Sequence, residues 1–349
     1  MTRIQEYVDL LRDIIATPSV SGSEKAVADL LQGWMEARGM KVQRAANNVW
    51  ADSAPDSTAP VLLLNAHIDT VKPTSSYTRD PFLPSLEGDV LYGLGSNDCG
   101  GALVSLLAAY EELSSRKEPY RLIFSATAGE ENCAPDGIEM FLPLIPRPAL
   151  GIIGEPTGMR MALAEKGLMV LDCTERGVTG HAAREEGVNA LYKAMDSIRW
   201  FREFRFPKVS ELLGPVKMSV TQIQCGTQHN VVPDECSFVV DVRPNGEYSN
   251  EEILSVIRNS VSCEVKPRSM KHQSSRIAGD HPVVLRGLSL GLESFGSPTT
   301  SNQTRCSFPT LKIGPGESSR SHGPDEYIRI SEIENAVKVY VDLLDGLTI

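Results

Sequence analysis

His67 and Asp69 stand two residues apart in "NAHIDTVKP", directly after the apolar run "VLLL". A run of that kind reads as a buried strand, and residues two apart on a strand share a face. The pair would therefore project together from the strand's end. An imidazole that ligates a metal commonly has its other ring nitrogen held by a carboxylate, so the spacing fits a metal site. It fits a solvated strand end with an incidental histidine equally well.

Other acids shift that balance. Asp98 lies in the glycine-rich turn after "DVLYG", Glu130 and Glu131 follow "RLIFSAT", and Glu155 follows "LGIIG". Each comes at the C-terminal end of an expected strand, where open α/β sheets place their ligand crevice. Like charges gathered at one sheet edge repel unless a cation compensates them. The late segment "SRSHGPDEY" adds His322. Two histidines with three carboxylates form a mixed nitrogen and oxygen donor set that suits zinc, with cobalt or manganese as substitutes. Five donors exceed one tetrahedral shell but suit two ions sharing a carboxylate. Of the adjacent pair Glu130 and Glu131, one can bind metal while the other moves protons.

These residues need a scaffold, and the flanking patterns supply one. Helical spacing runs over residues 4–15 and 22–38, the second announced by "SGSE", in which Ser21 is expected to cap and Glu24 to reach back. Strands are expected over 41–52, 60–66, 120–127 and 150–156, with "ALVSLLAAYEEL" as a buried helix. Near-continuous apolar strands alternating with helices indicate an α/β layer with a mixed, largely parallel sheet flanked by helices. After residue 166 the texture changes to period-two strands such as "KMSVTQIQCG" and "ECSFVVDVRP" between helices. Their β-α-β-β-α-β order is the ferredoxin-like α+β unit. The α/β pattern then returns and ends in a helix over 331–346. Two domains are expected: 1–166 with 277–349, and an inserted domain over 167–276.

Composition excludes several function classes. The 349-residue chain carries a net charge of -11, which argues against nucleic acid or anionic membrane as partner. Its seven cysteines are scattered, odd in number and form no Cys-x-x-Cys pair, as suits reduced thiols in a cytoplasmic protein. No apolar run approaches the roughly 18 residues that span a bilayer, and acids interrupt the first apolar pattern, so no secretory signal is expected. "GLGSNDCGG" fails as a dinucleotide fingerprint because Asp98 holds the place of the third glycine. Cys99 has no obvious histidine partner, and Asp98 beside it disfavours a thiolate. His272 and His281 lie in no motif and read as solvated.

Together, "HIDT", "YGLGSNDCGGAL", "TAGEE", "GEPT", "GVTGHAA", "HNVVP", "DVRP" and "SHGPDEY" span essentially the whole chain. In order and interval they resemble the di-zinc metallo-aminoacylase/carboxypeptidase family, in its acetylornithine deacetylase and succinyl-diaminopimelate desuccinylase branch. The resemblance implies a zinc-hydrolase-type catalytic domain, an inserted dimerisation (lid) domain, a homodimer, and two zinc ions per subunit. It implies His67 and Glu155 on one ion, Glu131 and His322 on the other, and Asp98 between them. Asp69 would steer His67, and Glu130 would be the general base. His181 would cross into the partner's site to stabilise the oxyanion. Asn230 and Arg243 would contact substrate, Arg243 being suited to bidentate carboxylate recognition. The Asp98–Cys99 peptide would be cis.

The implied reaction is hydrolysis of an N-acyl-L-amino acid, with water between the ions as nucleophile. N-acetylornithine comes first among substrates, beside N-succinylornithine or an N-acetyl- or N-succinylcitrulline, in arginine biosynthesis. A dipeptidase, a carboxypeptidase or a succinyl-diaminopimelate desuccinylase is the alternative. A succinyl group needs a cation for its second carboxylate, and Lys72, Arg305 and Arg320 lie in segments that could reach the site.

Overall fold

The apolar runs flanking the expected site residues form the centre of a mixed sheet. In a computed structural model describing residues 3–349, the chain divides into two units. One comprises the residues up to Leu163, with 277–295 and 301–349; the other comprises 164–276 with 296–300.

In the first unit, Val61–His67 lies between Arg121–Thr127 and Leu150–Ile153, and Thr310–Lys312 extends the sheet beyond Leu150–Ile153. These four strands are parallel. Every residue of Val61–His67 is buried, as a strand covered on both faces requires. Antiparallel strands close the sides, Val42–Ala45 and Asn48–Asp52 on one and Met161–Glu165 on the other. The single strand expected over 41–52 is this hairpin, turned at Ala46 with φ 50°. Helix Gly101–Ser114 is apolar nearly all round, as a fully covered helix must be, and packs against Ile330–Leu344 and the sheet.

The parallel register aligns the strand ends. His67 pairs with Thr127, and Asn65 with Ile153. The residues just beyond these ends, 69, 130–131 and 155, therefore emerge at one edge.

Two expectations change here. Val90–Tyr92 is not part of the main sheet; it is a three-residue strand paired with Ser85–Glu87 and Tyr327–Arg329. Asp98 is instead delivered by an irregular turn, 96–100, that leads into helix Gly101–Ser114. Ser21 does not cap helix Lys25–Ala37, which starts after Glu24 without a side-chain cap. The Ser21 hydroxyl donates to Asp69 Oδ2 at 2.7 Å, since an ionised acceptor outcompetes a neutral one. Glu24 accepts from the Gly22 N–H and from Asn47 Nδ2.

The second unit orders Met169–Arg176, helix Ala190–Glu203, Lys217–Cys225, Glu235–Arg243, helix Asn250–Ser260 and Glu264–Pro267. Its antiparallel sheet runs Lys217–Cys225, Glu235–Arg243, Met169–Arg176, Glu264–Pro267, the ferredoxin-like arrangement. Alternate residues of Met169–Arg176 are buried and meet Phe201, Phe238, Ile253 and Ile257 in a separate core. His272 is buried here rather than solvated; its carbonyl accepts from the Leu168 N–H and Asn250 Nδ2, which draw the segment inward. In the first unit His281 caps helix Pro282–Ser289, its Nδ1 accepting from the Val283 N–H at 3.3 Å. Among the described residues no helix is long and apolar enough to cross a membrane.

Phe124 is fully buried on a central parallel strand. Phe124→Ala is expected to cost about 3–5 kcal/mol in urea denaturation, whereas Leu83→Ala, at a side chain 67% exposed, should change stability by less than about 0.5 kcal/mol.

Candidate metal centre

The strand ends bring the expected ligands together. In three overlapping sets, one donor atom from each residue lies within 4.8 Å of the others: His67, Asp98 and Glu155; Asp98, Glu131 and His322; and His67, Glu130 and Glu131. His67 Nε2 is 3.1 Å from Asp98 Oδ1 and 4.0 Å from Glu155 Oε1. His322 Nε2 is 3.0 Å from Glu131 Oε2 and 3.6 Å from Asp98 Oδ2. The two oxygens of Asp98 thus face different histidines. Donors around one tetrahedral zinc lie about 3.4 Å apart, given bonds of about 2.0–2.2 Å, so these spacings and this donor set fit two ions that share Asp98.

His67 is oriented from behind. Its Nδ1 lies 2.9 Å from the Asp69 main-chain oxygen and 3.6 Å from the Asp69 carboxylate. A carbonyl can only accept, so Nδ1 carries a proton, and Nε2, facing Asp98 and Glu155, is the nitrogen that would meet a metal. The Asp69 backbone thus lies closer to the His67 ring than its carboxylate does. The carboxylate accepts from the Glu130 N–H, the Glu131 N–H and the Ser21 hydroxyl, at 3.0, 3.0 and 2.7 Å. Burial works to raise Asp69, but contact with His67 and these hydrogen bonds outweigh it and hold the group below its usual value.

That anchorage fixes the backbone of the adjacent glutamates. Gly129, at φ +66°, opens their turn, and a Cβ there would stand 2.6 Å from Ala134 Cβ. With both N–H groups fixed on Asp69, Glu131 also reaches Asp98 and His322, whereas Glu130 groups with His67 and Glu131 alone. Burial, and then the Glu155 charge, hold the Glu130 carboxyl well above the usual carboxylate range. Glu131 raises His322 to about 9.

The turn carrying Asp98 contains the cis peptide Asp98–Cys99. Cys99 Sγ accepts from the His67 N–H and donates to the His67 carbonyl. Burial pushes this thiol up to about 12, which disfavours the thiolate, and its contacts with the His67 backbone make Cys99 part of the packing at the strand end. Glu326, which sequence reasoning passed over, lies beneath the turn; burial, and then Asp98, push it up to about 7. Its one sequence signal is the acidic pair after "HGP". Ser21 was likewise masked by its capping pattern.

His181, Asn230 and Arg243 belong to the second unit. Gly180–His181 pairs with Val231–Val232, and the Ala182 N–H donates to the Asn230 carbonyl at 3.0 Å, so His181 and Asn230 are neighbours, both exposed. The Ala183 N–H donates to His181 Nδ1 at 3.1 Å; in the neutral ring the proton then sits on Nε2, which is free to donate. Arg243 is half-buried and already engaged, its Nε and Nη2 on Asp241 at 2.8 and 3.0 Å and its Nη1 on Thr300 at 3.1 Å. Two further cations are committed within the first unit. Arg305 pairs with Glu139. Arg320 pairs with both oxygens of Glu332, at 2.8 and 2.9 Å, under the Tyr327 ring. Lys72 is exposed.

Residues 163–268 match a family model described as a peptidase dimerisation domain, and residues 48–143 match peptidase family M28. The acetylornithine deacetylase of Proteus mirabilis is 26% identical over 99% of this chain and 97% of its own length. A tripeptidase from Staphylococcus aureus superposes with TM-score 0.78 at 18% identity, over 99% of this chain and 98% of its own. A dinuclear metal-binding peptidase of the M20 family from Bacillus subtilis does so with TM-score 0.75 at 14% identity, over 99% of both chains.

Replacing Asp69 with Asn removes the charge that holds both glutamate N–H groups. Isothermal titration with Zn²⁺ is expected to show affinity lowered by about 10- to 100-fold, with Ser21→Ala producing a smaller loss.

Proposed function

We propose that this chain, which belongs to the M20 peptidase family, hydrolyses the amide of N-acyl-L-amino acids at a pair of divalent ions, with N-acetylornithine as its first substrate. The observation that carries the proposal is the convergence of His67, Asp98, Glu131, Glu155 and His322 on a shared aspartate, with Glu130 alongside. The full-length likeness to an acetylornithine deacetylase supports the substrate class.

In this reading His67 and Glu155 hold one ion, Glu131 and His322 the other, and Asp98 both. Bound zinc supplies Lewis acidity toward the acyl carbonyl and a lowered pKa for the attacking water. Glu130 does the proton work. It accepts the proton of the water as the C–O bond forms, and returns it to the nitrogen as the C–N bond breaks, leaving a carboxylic acid and a free amine. Its burial and its like-charged neighbour raise its affinity for the proton that it accepts. His181, with Nε2–H available, donates to the developing oxyanion from a partner subunit. Dimerisation through the inserted unit is supported by the match at 163–268. Asn230 and Arg243 contact substrate, the guanidinium turning from Asp241 to the α-carboxylate.

The committed cations bear on the acyl group. Arg305 and Arg320 are already paired, which leaves exposed Lys72 as the remaining candidate among the three. A succinyl carboxylate would have to meet Lys72, whereas an acetyl group needs no cation.

The test is a substrate panel. Zinc-reconstituted enzyme should hydrolyse N-acetylornithine faster than N-succinylornithine or dipeptides, and chelation should abolish that activity. Dipeptide preference would overturn the substrate assignment. Glu130→Gln should lower kcat by at least about 10²- to 10⁴-fold while zinc stoichiometry and circular dichroism stay unchanged.

A further inference from the structure

Among the buried acids of the first unit, Glu326 is absent from the three sets of donors that converge. It is 2% exposed. Its Oε1 accepts from the N–H groups of Asn97 and Asp98 at 2.8 and 2.9 Å, and its Oε2 from the Gly95 N–H at 3.1 Å. One carboxylate therefore gathers three donors from the turn that presents Asp98. Such a burial is costly for an ionised group unless its oxygens are satisfied, and charge-assisted bonds are roughly twice as strong as neutral ones.

The turn is shaped for this grip. Gly95 sits at φ +76°, and a Cβ there would stand 2.6 Å from Thr70 Cγ2. The Asn97 side chain reaches the same late segment at another point. Its Nδ2 donates to the Glu317 carbonyl and the Ser321 hydroxyl, and its Oδ1 accepts from the Glu317 N–H. Asp325 ties that segment to a third piece of chain, accepting from the N–H groups of Thr78 and Arg79 at 2.9 and 3.0 Å. His322 lies within the same stretch. Residues 317–326 thus hold the Asp98 turn and carry His322 as one piece.

We propose that Glu326 is a positioning residue for the metal centre: by collecting the N–H groups of Gly95, Asn97 and Asp98 it sets where the Asp98 carboxylate stands relative to His322. The proposal rests on the reading of Asp98 as a shared ligand, and its test separates the two. Glu326→Gln keeps the shape but leaves one acceptor oxygen where there were two, so part of the N–H set faces an amide NH₂. Glu326→Asp keeps the charge and draws it back by one methylene.

Metal-free protein is titrated with Co²⁺ by calorimetry, with the visible Co²⁺ absorption recorded at each addition and thermal unfolding of the metal-free form measured alongside. Glu326→Gln is expected to weaken Co²⁺ affinity by about 10- to 100-fold and to alter the absorption bands, while the metal-free protein still folds and unfolds in one transition, at a midpoint lowered by the N–H groups left unsatisfied. Glu326→Asp should fall between the two. Unchanged affinity and spectrum in a folded Glu326→Gln protein overturn the proposal and leave the shared-ligand reading standing. Loss of fold in both variants also overturns it, placing Glu326 in stability rather than ligand positioning. Wild-type protein that takes up no Co²⁺ removes the shared-ligand reading itself, and the proposal with it.

Discussion

Repulsion among closely set, half-buried carboxylates is the constraint on which the first unit depends. Asp98, Glu130, Glu131 and Glu155 converge within reach of two imidazoles, and no arrangement of neutral side chains would hold four such charges together. A pair of divalent cations, as proposed, would resolve this conflict and give it a use. The parallel register is what creates the conflict, because pairing His67 with Thr127 and Asn65 with Ile153 places the following residues at one level. The hydrophobic sheet thereby serves as the support that forces charges into proximity.

Acids around that centre follow a different rule. Asp69 and Glu326 are buried but are satisfied by main-chain N–H groups, two for Asp69 and three for Glu326. Each therefore orients a ligand-bearing turn. Asp69 fixes the backbone of Glu130 and Glu131, and Glu326 holds the turn of Asp98. The side chains that face the candidate centre are few, and the groups that hold their turns lie one layer behind, as a preorganised site would require.

Much of this was legible in the sequence because strand ends are legible. His67, Glu130, Glu131 and Glu155 follow apolar runs whose termini are plain, and the ferredoxin-like order of the second unit follows from its alternation. Asp98 was identified although its preceding strand belongs to another sheet, because the glycine-rich turn itself was visible. Ser21 and Glu326 escaped because their partners are distant in the chain, and local patterns offered Ser21 a more obvious task. The adjacency of His181 and Asn230 depends on a two-residue ladder between remote segments. The Asp241–Arg243 pair was readable by the same two-residue strand rule that singled out His67 and Asp69. Burial of His272 leaves no trace in periodicity, since it lies in irregular chain tied inward by hydrogen bonds.

The central claim is that Asp98 is held in common by two metal ions. Crystals of the protein equilibrated with Zn²⁺ and measured at the zinc absorption edge test it most directly. Two anomalous peaks per chain are predicted, one beside His67 and Glu155 and one beside Glu131 and His322, with Asp98 contacting both. A single peak, or two peaks with Asp98 turned away from either, would contradict it.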